Sequence, residues 1–469
     1  MLPSERRRPN LAGAAEAMDQ FEPLPFLDRR RTGAVVCWRN GRAVRGSELL
    51  ADAAAVAAAL PGGRHVLNTC HDRYAFLVGF VAATLRQRVT LLTSDCSPRR
   101  IAELSAEFPG FLVSDRPQAS NHAPTMVLPP LGVGRTLPAD ESPHLIPGDR
   151  VVVIAFTSGS TGVPTAHVKT WGMLSAATGS AARRFGFDGG ETRAIVATVP
   201  PQHMYGFETT ILLPLLANVS VQADRVFYPD DLRRALASVP EPRIVVTTPF
   251  QLRAMMRARL DLPPIQAVIS ATAPMPDTLA REAEVQFGAP VREIFGSTET
   301  GSIASRRTLD GPAWRLYDNV RLASEGDDTR VIVAAHDQPI ALPDLIETID
   351  PRRFRLVGRR ADMVKLAGKR ASLAALERAL REIAGVEDAV FVQSGDADEA
   401  GAGRLVAYVV APGRDPETIL DDLRQRIDRT FLPRRLIMVD ALPRDELGKL
   451  QREKIGQLGR RAVDAASTR

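Results

Sequence analysis

The stretch that most constrains this chain is Val151-Val-Val-Ile-Ala-Phe-Thr-Ser-Gly-Ser-Thr-Gly-Val-Pro164. Val151 to Phe156 is wholly apolar and largely β-branched, the composition of a strand buried on both faces. It empties into Thr157, Ser158, Gly159, Ser160, Thr161 and Gly162, small residues with hydroxyl donors and a backbone free to adopt positive φ. Several N–H groups can then converge on one anion, so the stretch reads as a polyphosphate loop at the end of a buried strand. A flexible surface loop of similar composition needs neither the apolar strand before it nor Pro164 to close it. It is not a Walker loop, because no Gly-Lys-Ser/Thr follows.

At 469 residues, with 45% hydrophobic and 25% charged residues, the chain has room for two or three domains of ordinary soluble composition. No apolar run reaches the length of a membrane span, and no apolar segment follows Arg6, Arg7 and Arg8, so neither a span nor a signal peptide is expected. Cys37, Cys70 and Cys96 are too scattered for a disulfide framework or a zinc site, and suit a reducing cytoplasm. The net charge is +5, yet Lys and Arg are dispersed and aromatics are only 5%, which speaks against a nucleic-acid platform. Anionic small molecules account for the basic balance.

Leu49 to Leu60 reads as a helix ended by Pro61-Gly62-Gly63, Ala75 to Leu85 as a second helix, and Val89 to Leu92 as a strand. This βαβ order implies a largely parallel sheet. Residues 116–149, punctuated by prolines and by Gly132, Gly134 and Gly148, read as loop and linker. Trp171 to Phe185 is a helix whose N-terminus would lie near bound phosphates. Further strands are expected at Ala194–Val199, 243–248 and 267–270. His203 follows the first of these, at the sheet edge where open α/β folds bind ligands; a lone histidine is as readily a structural residue, and both readings stand. Beyond a helix containing Glu377 come strands at Ala389–Val392 and Leu405–Val410, then a helix over Pro416–Thr430.

Thr157-Ser-Gly-Ser-Thr-Gly-x-Pro164 resembles the phosphate loop of the adenylate-forming superfamily, which comprises acyl- and aryl-CoA synthetases, peptide-synthetase adenylation domains and luciferases. Other segments resemble that family's motifs in the family's order. Pro200-Pro-Gln-His203-Met-Tyr205-Gly206 resembles the segment beside the acyl pocket, to which Phe250 and Ala273 are also assigned. Ala271-Thr-Ala-Pro274 stands where the family's Gly-Gly-Ala-Pro lines the adenine site. Phe295-Gly296-Ser-Thr298-Glu299 resembles the segment whose ring stacks on adenine and whose Glu binds Mg²⁺. A single carboxylate suffices there, since magnesium completes its shell with phosphate and water. Asp344 corresponds to the ribose-binding aspartate, and a carboxylate suits two vicinal hydroxyl donors. Leu356-Val-Gly-Arg359-Arg-Ala361-Asp-Met-Val-Lys365 resembles the family hinge, with Arg359 a further ribose or phosphate contact and Gly368 to Arg370 facing the site in one domain orientation. Pro443-Arg-x-x-x-Gly-Lys449-x-x-Arg452 matches the catalytic lysine loop.

The resemblance spans nearly the whole chain. It implies an α/β fold: a large N-terminal AMP-binding domain of mostly parallel sheets with helices (residues 1–357), and a small α+β C-terminal domain (residues 358–469) that moves on a hinge and carries Lys449. The implied activity is an AMP-forming acid–thiol ligase using ATP and Mg²⁺. Thr157 to Gly162, Phe295, Gly296, Asp344, Arg359 and Arg370 would hold the nucleotide, and Thr298, Glu299 and Lys449 would serve catalysis. His167-Val-Lys-Thr-Trp171 and the His203 segment are similar to ligases of bacterial aryl-polyene pathways, which implies an aromatic acid such as a hydroxybenzoate or hydroxycinnamate. The acceptor thiol is CoA or the phosphopantetheine of an acyl carrier protein; a carrier-only enzyme and a non-catalytic nucleotide-binding relic are the alternatives. Two departures stand out. The loop lysine of the family is Thr165 here, with Lys169 four residues on as a possible substitute, and the first hinge aspartate is Ala361.

Overall fold

The computed structural model describes residues 23–27, 31–117, 122–135, 145–157, 165–325, 328–334, 336, 338–359, 362–366, 369–397, 403–444, 450–451 and 454–455. Ser158 to Gly162, Ala361, Gly368 and Lys449 therefore lie outside the described residues. The chain divides into two compact units: residues 1–243 with 297–302 and 333–337, and residues 244–296, 303–332 and 338–469.

The first unit contains a six-stranded sheet in the order Thr165–Thr170, Val151–Thr157, Val89–Leu92, His65–Asn68, Gly110–Ser114, Thr125–Val127. All neighbours are parallel except the first pair. Val152 and Val153 are fully buried, as the apolar run predicts. Residues 116–149 are not all linker: Thr125–Val127 adds the last strand at the sheet edge. The first long helix is Gly46–Ala59, three residues ahead of the expected start, because Glu48 closes a capping box by accepting from the Arg45 N–H at 3.2 Å. Arg73–Leu85 is a second helix, capped by Asp72, which accepts from Ala75 N–H. Trp171–Phe185 forms over the residues expected, with Thr170 as N-cap and Gly186 at φ +71° ending it. A second group of strands, Arg193–Ala197, Val219–Gln222, Val35–Arg39 and Arg42–Arg45, completes this unit.

In the second unit, Arg243–Thr247, Ala267–Ser270 and Val291–Ser297 run parallel and are extended by Gly301–Arg307, Ala313–Leu316, Arg353–Arg359 and Asp344–Asp350. The chain then forms the hairpin Met363–Leu366/Lys369–Ser372, the helix Leu373–Arg381 and a three-stranded sheet of Asp388–Ala397, Gly403–Val410 and Arg435–Met438. Leu376, Leu380, Phe391, Leu405, Ile419 and Phe431 give this α+β portion a core of its own. The expected Pro416–Thr430 helix stops at Arg424; Asp428 then caps the short turn Arg429–Phe431, which delivers Phe431 to that core. No helix among the described residues is long and apolar enough to cross a membrane.

Candidate active site

The strand Val151–Thr157 and the returning strand Thr165–Thr170 bracket the phosphate loop. Their antiparallel register sets Thr165 opposite Thr157, His167 opposite Ala155 and Lys169 opposite Val153. Alternation along a strand places Thr165, His167 and Lys169 on one face. Thr157 Oγ1 lies 3.0 Å from His167 Nε2. The same ring nitrogen is 3.6 Å from Glu299 Oε1, so His167 links the start of the loop to the expected metal carboxylate.

Glu299 is presented by a tight turn that holds itself together. Ser297 N–H donates to Thr300 Oγ1 at 3.1 Å, Thr300 N–H donates to Ser297 Oγ at 3.2 Å, and the Thr300 hydroxyl donates to the Gly301 carbonyl at 2.7 Å. Gly301 ends the turn at φ +70°, where a side chain would also come within 2.8 Å of Glu208 Oε1. Glu208 accepts from Ser302 N–H at 3.1 Å and from the Ser302 hydroxyl. On the other side, Lys169 Nζ donates to the Glu299 carbonyl at 2.5 Å. Partial burial alone would raise the Glu299 pKa, but the Ser297 hydroxyl, its own amide and the charges of His167 and Lys169 bring it below the usual glutamate value. The carboxylate is thus ionised at neutral pH. Burial pulls Lys169 down to about 8, against the opposing charges of Glu208 and Glu299. Burial also pushes Glu208 up, against the Ser302 hydrogen bonds and Lys169.

His203 accepts through Nδ1 from Tyr205 N–H at 3.3 Å and so caps the short helix Met204–Phe207. The capping is structural work for the helix that carries Tyr205 and Gly206. Gly206 is required by contact: a Cβ there would lie 2.0 Å from the Pro200 carbonyl. The helix runs on through a π-helical turn, Glu208–Leu212, of the kind often found at functional sites. Glu208 is the charged residue at its start, followed by Thr209 and Thr210.

In the second unit, Phe250 is exposed on the first turn of the helix Pro249–Ala258, which Thr248 caps. Thr272, where the family has glycine, adopts φ +78°, a left-handed conformation that a β-branched residue rarely enters. Its turn, with Ala273, is anchored by Glu293, a 2% exposed carboxylate that accepts from Met275 N–H at 2.9 Å, Arg306 Nε at 2.6 Å and Thr308 Oγ1 at 3.1 Å. The Phe295 ring packs at 5.5 Å from Trp314 and 5.7 Å from Phe354, and Gly296 follows it. Asp344 and Arg359 pair directly across two antiparallel strands, with Arg359 Nε donating to Asp344 Oδ1 at 3.2 Å. Arg370 lies on the hairpin strand Lys369–Ser372, opposite Lys365.

The structure thus gathers Thr157 and Glu299 around His167, and ties the Glu208 end of the acyl-pocket segment to the same turn. His167, Glu208 and Glu293 were not among the site residues expected from sequence. The sequence carried no distinct signal for Glu208 or Glu293; for His167 the signal was its place on the alternating face of Lys169. Among the described residues no three His, Cys, Asp or Glu side chains form a metal cage. One ionised, half-exposed carboxylate beside a phosphate loop fits magnesium, which takes its other ligands from phosphate and water.

A buried strand ending at Thr157, linked through His167 to the ionised Glu299 of a clamped turn, is the arrangement expected of an adenylate-forming enzyme. Residues 29–339 match the AMP-binding enzyme family and residues 375–449 the AMP-binding enzyme C-terminal domain. The chain belongs to the AMP-binding enzyme family. It is 29% identical over 297 residues to a 4-coumarate–CoA ligase of Rhodobacter capsulatus, covering 62% of this chain and 73% of that one. It is 27% identical over 347 residues to an L-proline–[L-prolyl-carrier protein] ligase of Pseudomonas fluorescens, covering 65% and 68%. Its fold resembles that of O-succinylbenzoate coenzyme A synthetase from Bacillus subtilis, solved with ATP and magnesium, at TM-score 0.77 and 17% identity over 93% of this chain and 100% of that one.

Proposed function

We infer that the protein is an AMP-forming acid–thiol ligase that activates a carboxylic acid, most readily an aromatic one such as a hydroxybenzoate or hydroxycinnamate, and passes it to a phosphopantetheine thiol. The observation that carries the reading is the clamped turn that presents ionised Glu299 beside the phosphate-loop strand. The carboxylate of the acid attacks the α-phosphorus of ATP, the bond to the leaving pyrophosphate breaks, and an acyl-adenylate remains. The thiol then attacks the acyl carbon, losing its proton, and AMP departs.

Magnesium, held by Glu299, would neutralise charge on the phosphates. The chain's own groups do the rest: Thr157 and its loop orient the phosphates, Asp344 and Arg359 hold the ribose, and Lys449 approaches the developing charge during adenylation. Rotation of residues 358–469 would then withdraw Lys449 and bring the Gly368–Arg370 hairpin inward for thiol transfer.

A relative named for 4-coumarate supports the aromatic acid, and one named for a carrier protein keeps the carrier acceptor in view. A screen of aromatic and aliphatic acids by pyrophosphate release, followed by assay with CoA and with a phosphopantetheinylated carrier protein, tests both points. No acid-dependent pyrophosphate release from a folded, ATP-binding protein would return the reading to a nucleotide-binding relic.

A further inference from the structure

Lys169 is where a lysine is least expected. It lies on a sheet strand, is 3% exposed, and has fully buried Val153 as its strand neighbour. Its place is also wrong for the loop lysine absent at Thr165. Four strand residues separate the two positions, about 13 Å along the strand. Its ammonium is committed instead to the Glu299 carbonyl. Glu208, the strongest opposing charge on it, holds the other end of the same turn through the Ser302 N–H and hydroxyl.

Charges taken out of water on these two side chains are a poor source of stability, since well-packed apolar residues of like volume do as well or better. What this pair does that apolar residues cannot is hold polar backbone. Lys169 takes the carbonyl at Glu299, and Glu208 takes the N–H three residues later at Ser302, so the turn is gripped on both sides of Thr300 and Gly301. The grip fixes the direction in which the Glu299 carboxylate leaves the turn.

We propose that Lys169 and Glu208, each holding one side of the Glu299 turn, are positioning residues that set that turn for metal-bound nucleotide. The proposal rests on the reading of Glu299 as the magnesium ligand. Neither residue touches the reacting atoms; both act through the backbone of the turn.

The test measures ATP binding by calorimetry with and without Mg²⁺, alongside thermal unfolding and, with a competent acid, pyrophosphate release. Lys169→Met removes the contact to the Glu299 carbonyl and the positive charge nearest half-buried Glu208, so this variant is expected to lose stability as well as about tenfold of the Mg²⁺-dependent gain in ATP affinity. The deciding variant is Lys169→Met/Glu208→Gln. It removes one charge of each sign, keeps an oxygen acceptor for Ser302 N–H, lets the Gln amide donate to the Ser302 hydroxyl, and removes the contact to the Glu299 carbonyl. It is expected to regain stability while the Mg²⁺-dependent gain stays low and kcat falls with little change in the KM for the acid. A double variant with the wild-type Mg²⁺-dependent gain would reduce the pair to a packing feature and overturn the proposal. A wild-type protein whose ATP affinity ignores Mg²⁺ would overturn the reading of Glu299 itself, and the proposal with it. Glu299→Gln, which removes the ligand and leaves the pair, tells these two failures apart.

Discussion

Arg359 donates through Nε to Asp344 Oδ1 at 3.2 Å, and the strand register sets the two residues directly opposite one another. The Asp344 side chain is 13% exposed and that of Arg359 61%, so a largely buried carboxylate meets a solvated partner. On the proposed function, this carboxylate accepts from the two ribose hydroxyls. Asp344→Asn should raise the KM for ATP by about 10-fold or more, the size expected for losing hydrogen bonds to a charged acceptor, with a smaller effect on kcat. Steady-state kinetics at varied ATP checks this. An unchanged KM would remove Asp344 from the ribose site.

Glu299→Gln keeps the shape of the turn and removes the charge. Acid-dependent pyrophosphate release and thioester formation from ATP should both be lost, while the circular dichroism spectrum stays that of the wild type. Wild-type pyrophosphate release by the folded variant would exclude Glu299 from the metal site.

Gly301 combines φ +70° with a close approach to Glu208 Oε1, so Gly301→Ala meets both a left-handed backbone and a clamped side chain. The backbone term alone costs about 1–2 kcal/mol. A lower melting temperature and slower adenylation are expected together, because the strain falls on the turn that carries Glu299. Thermal unfolding and pyrophosphate release measure the two effects.

Thr272 shows the opposite case. At φ +78° this β-branched residue is strained where glycine is not, so Thr272→Gly should stabilise the protein by about 1 kcal/mol. Denaturant unfolding gives the sign. A loss of stability would mean that the threonine side chain's contacts outweigh the backbone strain.

On the proposed mechanism, Lys449 acts in only one of the two half-reactions. Lys449→Ala should lose about 10²-fold or more in acyl-adenylate formation, the scale for removing a charge-stabilising donor. Supplied with pre-made acyl-adenylate, it should form thioester at near the wild-type rate. Gly368→Trp should adenylate normally and fail in thiol transfer. Equal losses in both steps would mean one fixed site without domain alternation, an outcome to which Ala361 at the hinge gives particular interest.

The strands Val151–Thr157 and Val89–Leu92, the helix Trp171–Phe185 and the order of the motifs were legible in the sequence because each depends on local chemistry: apolar runs, caps and glycine turns within a few residues. The helix Pro416–Arg424 was overextended for the same reason in reverse, since the pull of Phe431 into a core assembled from distant strands is not a local property. Glu299, Asp344 and Arg359 could be picked from their motifs, but the residues that hold the Glu299 turn could not. Lys169 and Glu299 are 130 residues apart in the chain, and only the strand register and the returning turn bring the ammonium onto that carbonyl. Glu208 meets Ser302 in the same way, 94 residues on. A buried charge is tolerated only where its partner waits, and where that partner waits is decided by the packing of whole elements, not by the residues beside it.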